Sequence, residues 1–255
     1  MKYDPKQRRS LGGVKAYNSE TFLNSREARN IRIQCEITEP GIRLKRLGIN
    51  HTIQFFGSAR SKPTDDVYIQ GHHLSHEIGK WLVSDETTDD IAIGSGGGPG
   101  LMEAVNRGAH EAGAPSVGMG ISLPFEQENN EYVHPELDFE FHYFFTRKYW
   151  CVYLSKAYVA LPGGIGTLDE LFEVLTLIQT KKMPAVPIVL YGSEYWNTVV
   201  NFDRLVELGT ISKDDLDRFI ISDDSEEVIN YLRDNITMDC LRDSGHPEPG
   251  TIFEF

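Results

Sequence analysis

The chain has 255 residues, of which 40% are hydrophobic, and it carries a formal net charge of −13 at pH 7. This length and apolar content suffice for one large α/β domain with a buried core, and no internal repeat or low-complexity stretch divides the chain. The acidic balance argues against extended contact with a nucleic-acid backbone, because such contact needs a basic face. A small anion held by a few close donors remains compatible with this charge.

The first fifty residues predict a helical extension ahead of the main domain. One helix is expected over 21–35 and a second after Glu39-Pro40. The chain begins without an apolar signal core, and no apolar run approaches the length that spans a bilayer, so we expect a cytoplasmic protein without membrane contact. Widely spaced cysteines without a C-x-x-C pair fit that compartment. Core thiols are expected at Cys35, Cys151 and Cys240.

From residue 51 onward, short apolar runs alternate with amphipathic stretches of helix length. This alternation predicts an α/β domain over 51–235: a single doubly wound parallel sheet, Rossmann-like, with helices on both faces. Strands are expected at 52–56, 90–93, 116–121, 139–144, 157–161, 186–190 and 218–221. Helices are expected at 65–83, 99–112, 146–155, 167–179, 195–208 and 225–233. The final residues, 236–255, are expected to form a loosely attached tail.

A first glycine turn, GSGGGPG, follows the apolar run 91–93 and is predicted to open a helix with Pro99 at its first position. Because Pro99 stands where a third glycine would fall, the turn is not the G-x-G-x-x-G of a dinucleotide site. It also lacks the Gly-Lys-Ser/Thr of a nucleoside triphosphatase. Mononucleotide binding remains possible, with Gly97 and Gly98 as candidate contacts. Glu103 is either a base or ribose contact, or an acid favoured there by the helix dipole alone.

A second glycine turn, LPGGIGTLDE, spans residues 161–170 and joins a strand to a helix. Bare amides at a helix N-terminus attract phosphate, and glycines let it approach closely. Two acids, expected on the first helical turn, would repel a phosphate, so they either cap the helix or act on a group attached to the phosphate. Thr167 and Glu170 have the spacing of a capping box. The functional alternative gains support because two glycine turns could converge at the carboxyl edge of one sheet.

Arg147 and Lys148 provide a separate clue. If Thr146 is the N-cap of its helix, both cations lie in the first turn, where the helix dipole disfavours them by about 0.3–1 kcal/mol. Their position then requires a nearby anion, either a ligand or an acid of a surface ion pair.

Other features have plainer interpretations. His72 and His76 are four residues apart on a predicted helix, but no H-E-x-x-H pattern accompanies them, so we predict no metal site. The aromatic residues between Phe139 and Trp150 are expected in the core or at a subunit contact, with stacking on a base as the alternative. The polar segment 126–134 is expected to form a loop over the site.

The nine residues from Pro162 to Glu170 match the pattern P-G-G-x-G-T-x-x-E without a mismatch. With Arg147-Lys148 upstream, they resemble the LOG family of cytokinin-activating phosphoribohydrolases, which were long labelled lysine decarboxylases. The resemblance extends from about residue 53 to residue 191, and residues 24–60 are similar to the longer bacterial branch.

This resemblance implies hydrolysis of the N-glycosidic bond of a nucleoside 5′-monophosphate, of the AMP or cytokinin riboside monophosphate type, to free base and ribose 5-phosphate. Arg147 and Glu170 correspond to the family's catalytic pair. A homo-oligomer without metal or other cofactor is expected. The implied substrate contacts are Ser58, Gly97, Gly98, Glu103, Lys148, Gly163, Gly164, Gly166 and Thr167.

Two alternatives remain open. In a non-catalytic nucleotide or molybdenum-cofactor carrier of similar fold, the glycine turns would hold a phosphate while Glu170 caps its helix. A pyridoxal-dependent decarboxylase would need a lysine that forms a Schiff base, and no lysine of this chain stands in a motif for that role.

Overall fold

A computed structural model describes residues 14–123 and 129–236. Seven strands in these residues pair in one parallel sheet with the order β4-β3-β2-β1-β5-β6-β7. The strands are β1 (His51–Phe56), β2 (Ile91–Ser95), β3 (Ser116–Ile121), β4 (Asp138–Phe141), β5 (Ser155–Ala160), β6 (Ile188–Tyr191) and β7 (Ile220–Ser222). The direction of winding reverses between β1 and β5, so the topological switch point lies beside these two central strands.

Helices cover both faces of the sheet, which confirms the predicted doubly wound α/β fold. The helices are α1 (Glu20–Leu23), α2 (Arg29–Arg46), α3 (Asp66–Ser84), α4 (Leu101–Glu111), α5 (Phe144–Tyr153), α6 (Ile165–Gln179), α7 (Ser193–Val199), α8 (Phe202–Glu207) and α9 (Ser225–Asn235). No helix in the two described ranges is both long and apolar enough to cross a bilayer.

The core follows from the alternation of side chains along the central strands. Ile53 and Phe55 of β1 point to the face covered by α3, α4 and α9. Phe56 points to the opposite face, where α6 and α7 pack. A third apolar cluster joins β2 and β3 to α2 and α5 around the buried Trp150. The helices that carry Arg147 and Glu170, α5 and α6, therefore lie on the same face of the sheet, whereas α4, which carries Glu103, lies on the other.

The prediction of two N-terminal helices divided at Pro40 is wrong, because α2 runs through this proline. A proline inside a helix removes the amide that would bond the carbonyl four residues earlier. Here that carbonyl belongs to Glu36, and it accepts a hydrogen bond of 2.8 Å from Trp150 Nε1 instead. A tertiary donor thus replaces the missing helical bond.

Three further boundaries differ from the predictions. The strand predicted over 139–144 ends at Phe141, and α5 begins at Phe144, so Thr146 is not its N-cap. The first glycine turn ends at Gly100, the N-cap of α4, so Pro99 precedes the helix. The helix predicted over 195–208 is two helices, because the side chain of Asn201 accepts a bond of 2.9 Å from Arg204 N and starts α8.

The expectation of core thiols holds for Cys151, which is buried, and fails for Cys35, which is exposed on α2. Burial raises the pKa of the Cys151 thiol to about 12, so it stays protonated. Cys240 and residues 237–255 of the tail predicted over 236–255 lie outside the described residues, as do residues 126–128 of the predicted loop.

Candidate active site

A cavity of about 550 Å³ opens at the carboxyl edge of the sheet, beside the switch point. The cavity is surrounded by the loop after β1, the two glycine turns and the start of α5. The two glycine turns therefore meet at this edge, as predicted. Six of the predicted site residues line the cavity: Ser58, Arg147, Gly164, Gly166, Thr167 and Glu170. The other five do not line it in the described structure: Gly97, Gly98, Glu103, Lys148 and Gly163.

Arg147 and Glu170 form an ion pair in the cavity wall. Arg147 Nη1 donates to Glu170 Oε1 at 2.8 Å, and the two side chains are only 12% and 7% exposed. Arg147 Nε donates at 2.7 Å to the carbonyl of Met119 on β3. The guanidinium is therefore held at two points, and it presents the carboxylate of α6 to the cavity in a fixed orientation.

Glu170 keeps one oxygen unbonded. Its Oε2 is buried and makes no hydrogen bond to any described residue, and Lys148 Nζ lies 3.8 Å away. Burial raises the pKa of Glu170 above its ordinary value of 4.5, while the charges of Arg147 and Lys148 oppose this shift. Glu170 lines the cavity, and its second oxygen has acceptor capacity left for a further donor.

Lys148 faces carboxylates and does not line the cavity. Its Nζ lies 2.8 Å from Asp169 Oδ2 and 2.7 Å from Glu173 Oε2. Burial alone would lower the pKa of Lys148, but the bonds to Asp169 and Glu173 and the charge of Glu170 outweigh burial and raise it. The ammonium is therefore charged, and it partly neutralises the acidic face of α6.

The second glycine turn leads into α6, whose N-cap is Gly164 rather than Thr167. The capping box proposed for Thr167 and Glu170 is not formed, and both acids of the motif lie in the second helical turn. A Cβ atom added at Gly164 or at Gly166 would meet no atom within 4 Å. The backbone at the start of α6 is therefore open to the cavity. Gly163 is held by Tyr195, whose hydroxyl donates to its carbonyl.

The first glycine turn is closed by a buried polar network around Asn106, which the sequence analysis missed. Asn106 Oδ1 accepts from Ser95 Oγ at 2.6 Å and from Asn130 Nδ2 at 2.9 Å. Ser95 Oγ accepts the amide of Gly97, and Asn130 Nδ2 also donates to the carbonyls of Gly97 and Gly98. A Cβ atom at Gly97 would overlap the side-chain amide of the neighbouring Asn129.

Ser58 and Glu103 occupy different environments. Ser58 lines the cavity, and its Oγ accepts the amide of Arg60 at 3.0 Å. Glu103 accepts a bond of 2.8 Å from the hydroxyl of Tyr68, which joins α3 to α4. Burial and the Glu103 carboxylate raise the pKa of Tyr68 to about 12, so the phenol remains a donor.

The cavity has an apolar side, to which only Phe144 contributes from the aromatic segment considered for base stacking. Its residues include Met102, Ile121, Leu123 and Phe144. Phe144 is 53% exposed and lies three residues before Arg147, so both side chains project from the same face of α5. Phe144 belongs to the predicted aromatic segment, but only its position at the start of α5 separates it from the buried Phe139 and Trp150.

The two histidines considered as metal ligands bind separate acids. His72 Nε2 lies 2.8 Å from Glu111 Oε2, and His76 Nδ1 lies 3.1 Å from Glu77 Oε1. Within 14–123 and 129–236, no three histidine, cysteine or acidic side chains cluster in a way that could hold a metal ion.

Solved structures with a similar chain path include a molybdenum cofactor binding protein from the phototrophic bacterium Rippkaea orientalis. It is 21% identical to this chain, with a TM-score of 0.48, over 73% of this chain and 96% of that one. A molybdenum cofactor carrier protein from Chlamydomonas reinhardtii is 18% identical, with a TM-score of 0.47, over 73% and 98% of the two chains. Neither similarity bears on the ligand of this protein.

Curated relatives are named for one activity. A probable cytokinin riboside 5′-monophosphate phosphoribohydrolase of Oryza sativa subsp. japonica is 30% identical over 159 residues, which cover 61% of this chain and 66% of that protein, just under two thirds. A cytokinin riboside 5′-monophosphate phosphoribohydrolase of Arabidopsis thaliana is 30% identical over 161 residues, which cover 62% and 72% of the two chains.

A family model described as "Possible lysine decarboxylase" matches residues 102–232, more than half of the chain and all of the second glycine turn. The resemblance inferred from the motif at Pro162 to Glu170 is thereby confirmed, and the chain belongs to the LOG family.

Proposed function

We propose that this protein hydrolyses the N-glycosidic bond of a nucleoside 5′-monophosphate, of the AMP or cytokinin riboside monophosphate type. Water adds to C1′ of the ribose as the C1′–N bond breaks, and one proton of the water ends on the departing base. The products are the free base and ribose 5-phosphate. Membership of the LOG family supports this reaction class, and the cavity supplies groups suited to each part of such a substrate.

The phosphate fits best at the start of α6. Three helices begin around the cavity, and a helix N-terminus attracts anions. The carboxylate of Glu36 already lies at the start of α5, and the amide of Leu101 at the start of α4 donates to the Ser58 carbonyl. The start of α6 has no side-chain cap, and Gly164 and Gly166 leave its amides accessible.

The ribose would then lie against Glu170. This residue is about one and two-thirds helical turns beyond Gly164, so a phosphate at the start of α6 leaves the attached sugar within its reach. Departure of the base leaves positive charge on the ribose ring, and a fixed carboxylate stabilises that charge. Arg147 holds Oε1 of Glu170, and Oε2 is free for a ribose hydroxyl or for the attacking water.

The base would contact the apolar side of the cavity. Phe144 offers an exposed ring for stacking, and Met102, Ile121 and Leu123 offer surface without hydrogen-bonding side chains. Such a surface recognises a flat apolar ring more than the polar edge of one particular base. Contacts to the phosphate and the ribose would therefore provide most of the binding specificity.

The charged state of Lys148 argues against a role for this lysine in a pyridoxal-dependent decarboxylase reaction. A lysine that forms a Schiff base with pyridoxal phosphate reacts as the neutral amine. The raised pKa of Lys148, which follows from its bonds to Asp169 and Glu173, keeps this lysine charged.

The observation that carries the proposal is the state of Glu170. It is buried beside an open helix start, bonded to Arg147 through one oxygen and unbonded at the other. Most buried side-chain oxygens in folded proteins have a hydrogen-bond partner, so the unbonded oxygen favours a ligand-binding role over a purely structural one.

The test is release of ribose 5-phosphate and free base from AMP, N6-isopentenyl-AMP, GMP and CMP by the purified protein. The Glu170→Gln variant keeps an acceptor for Arg147 and loses the charge, so we expect kcat to fall at least about 10³-fold. Glu111→Gln is the matched control, because Glu111 pairs with Arg107 and His72 outside the cavity and its loss leaves the rate unchanged. Full activity of Glu170→Gln would refute the catalytic assignment. Tight binding of a nucleotide or of molybdenum cofactor, without release of base from any substrate, would favour a carrier.

A further inference from the structure

The N-terminal extension reaches the start of α5 through one carboxylate. Glu36 Oε1 accepts the amide of His142 at 2.9 Å, and Oε2 accepts the amide of Tyr143 at 3.3 Å. Oε2 also accepts the hydroxyl of Thr146 at 2.5 Å. Glu36 therefore holds the two residues before α5 and the third residue within it. Negative charge at this end is favoured by the helix dipole.

The backbone of the same residue makes the next contact. Pro40 cannot donate to the carbonyl of Glu36, and Trp150 Nε1 donates to it at 2.8 Å. Gly41 lets the indole lie against α2, since a Cβ atom there would come within 2.8 Å of the Trp150 ring. Side chain and carbonyl of Glu36 thus bind α5 at both its start and its second turn.

A second residue of α2 ties the extension to itself and to the same loop. Arg32 Nη1 donates at 2.6 Å to the carbonyls of Leu23 and Ser25, and Nη2 donates at 3.3 Å to the hydroxyl of Tyr143. The segment before α2 and the loop before α5 therefore share one guanidinium.

Arg147 lies directly after the contacts made by Glu36. It follows Thr146 in α5, and its amide donates to the carbonyl of Tyr143. Its side chain must place Nε on Met119 and Nη1 on Glu170 at the same time. A small rotation or shift of α5 would lengthen both bonds, because they run to two different elements.

We propose that Glu36 is a positioning residue for the Arg147–Glu170 pair, and that the N-terminal extension acts on the site by fixing the start of α5. Glu36 does not line the cavity in the described structure, so it acts through α5 and not on the substrate. The kinetic part of this inference rests on the proposed function.

The first experiment compares Glu36→Gln with Glu39→Gln. Both variants lose one charge from α2, but Glu39 pairs with Arg43 on the same helix and not with α5. In Glu36→Gln, an NH₂ group replaces one carboxylate oxygen. This donor would face the amide groups before α5 that donate to Glu36 in the wild type. We expect kcat for the preferred nucleotide to fall on the order of 10-fold. KM should stay within about two-fold, because the open start of α6 is untouched. The Glu39→Gln variant should match wild type.

The second experiment needs no catalytic activity. The Nε–H of Arg147, identified by its loss in Arg147→Lys, should exchange slowly with solvent in the wild-type protein because it is bonded to Met119. In Glu36→Gln we expect this exchange to accelerate at least about 10-fold at unchanged global stability. Thr146→Val removes the hydroxyl that bonds Glu36 and keeps the side-chain shape. In the double variant of Glu36→Gln and Thr146→Val, the two substitutions should therefore accelerate this exchange by less than the sum of their separate effects.

Exchange at Arg147 that is the same in Glu36→Gln and wild type would overturn the proposal, as would equal losses of kcat in Glu36→Gln and Glu39→Gln. A wild-type protein that cleaves no nucleotide would refute the proposed function instead. In that case the exchange measurement alone would decide whether Glu36 positions Arg147.

Discussion

The two glycine turns of this protein look alike in sequence and differ in structure. Residues 94–100 are closed by hydrogen bonds around Asn106, and side chains fill the space beside their glycines. The turn after β5 leaves Gly164 and Gly166 beside open space. Glycine thus serves close packing of backbone against side chains in the first turn and access of a ligand to backbone in the second.

The polar groups around the two turns differ as well. Amides and hydroxyls, which do not titrate, hold the first turn. An arginine, a lysine and several carboxylates surround the start of α6. Substitutions in the network of the first turn should therefore change stability by an amount that does not depend on pH. Substitutions of the charged groups around the second turn should change the pH dependence of activity.

Replacement of Asn106 by leucine should cause the largest change in stability. Asn106 is fully buried, and its side chain bonds Ser95, Asn130, Ser116 and the Val117 carbonyl, so leucine leaves several buried polar groups unpaired. The free energy of unfolding, measured in urea, should fall by about 3 kcal/mol or more.

A matched control for Asn106 is Asn50→Leu. Among the described residues, the side chain of Asn50 bonds only Asp90, at an exposed position, and its loss should change stability by less than about 0.5 kcal/mol. Equal effects at Asn50 and Asn106 would mean that the buried network does not hold the first turn.

The glycines of the two turns should respond to alanine with opposite signs. Gly97 has φ +74°, and its alanine variant would overlap Asn129, so stability should fall by more than about 1 kcal/mol. Gly166 lies in the first turn of α6 with open space around it, so alanine should raise stability by about 0.5–1 kcal/mol. Thermal unfolding of both variants measures this difference.

The same Gly166→Ala variant tests access to the backbone. Its methyl group would stand where the proposed phosphate lies, so binding of AMP and of ribose 5-phosphate should weaken about tenfold, while binding of adenosine should not change. Unchanged affinity for all three would remove the phosphate from the start of α6.

Loss of the Lys148 charge should have a smaller effect, confined to pH dependence. The ammonium lowers the pKa of Glu170, so Lys148→Met should raise that pKa beyond the value already raised by burial. If the ionised carboxylate is required, kcat/KM falls as the pH drops through this pKa. The acid limb, which burial of Glu170 already moves to higher pH than an ordinary glutamate would give, should therefore move further up in the variant. A pH–rate profile that keeps its acid limb in place would separate Lys148 from the ionisation of Glu170.

Several features of the fold and the site were predictable because they depend on local sequence. Alternating apolar runs predicted the parallel sheet, and the motif from Pro162 to Glu170 predicted the family and an open helix start. Helix starts were less predictable. Thr146 and Thr167 have the side chains of an N-cap, but each lies inside its helix. The hydroxyl of Thr146 bonds Glu36, and the side chain of Thr167 packs beside Gly163.

Asn106 and Glu36 were not predicted as parts of the site or its supports, and Phe144 was considered for base stacking only as one member of an aromatic segment expected in the core or at a subunit contact. Asn106 lies inside α4, and no local sequence pattern indicates that its side chain bonds Ser116 and Val117 on β3 and Asn130 in the following loop. Glu36 is separated from Thr146 by more than one hundred residues. Phe144 is one of several aromatic residues, and only the place where α5 begins brings it into the cavity.

Sequence alone indicated which chemical groups this chain carries and at which strand ends they stand, because strand periodicity and glycine turns are properties of neighbouring residues. The folded chain decided which of the two turns is open and that Glu170 pairs with Arg147 instead of capping its own helix. These outcomes depend on distances between segments far apart in the chain, since a hydrogen bond or a steric overlap is decided within a few tenths of an ångström.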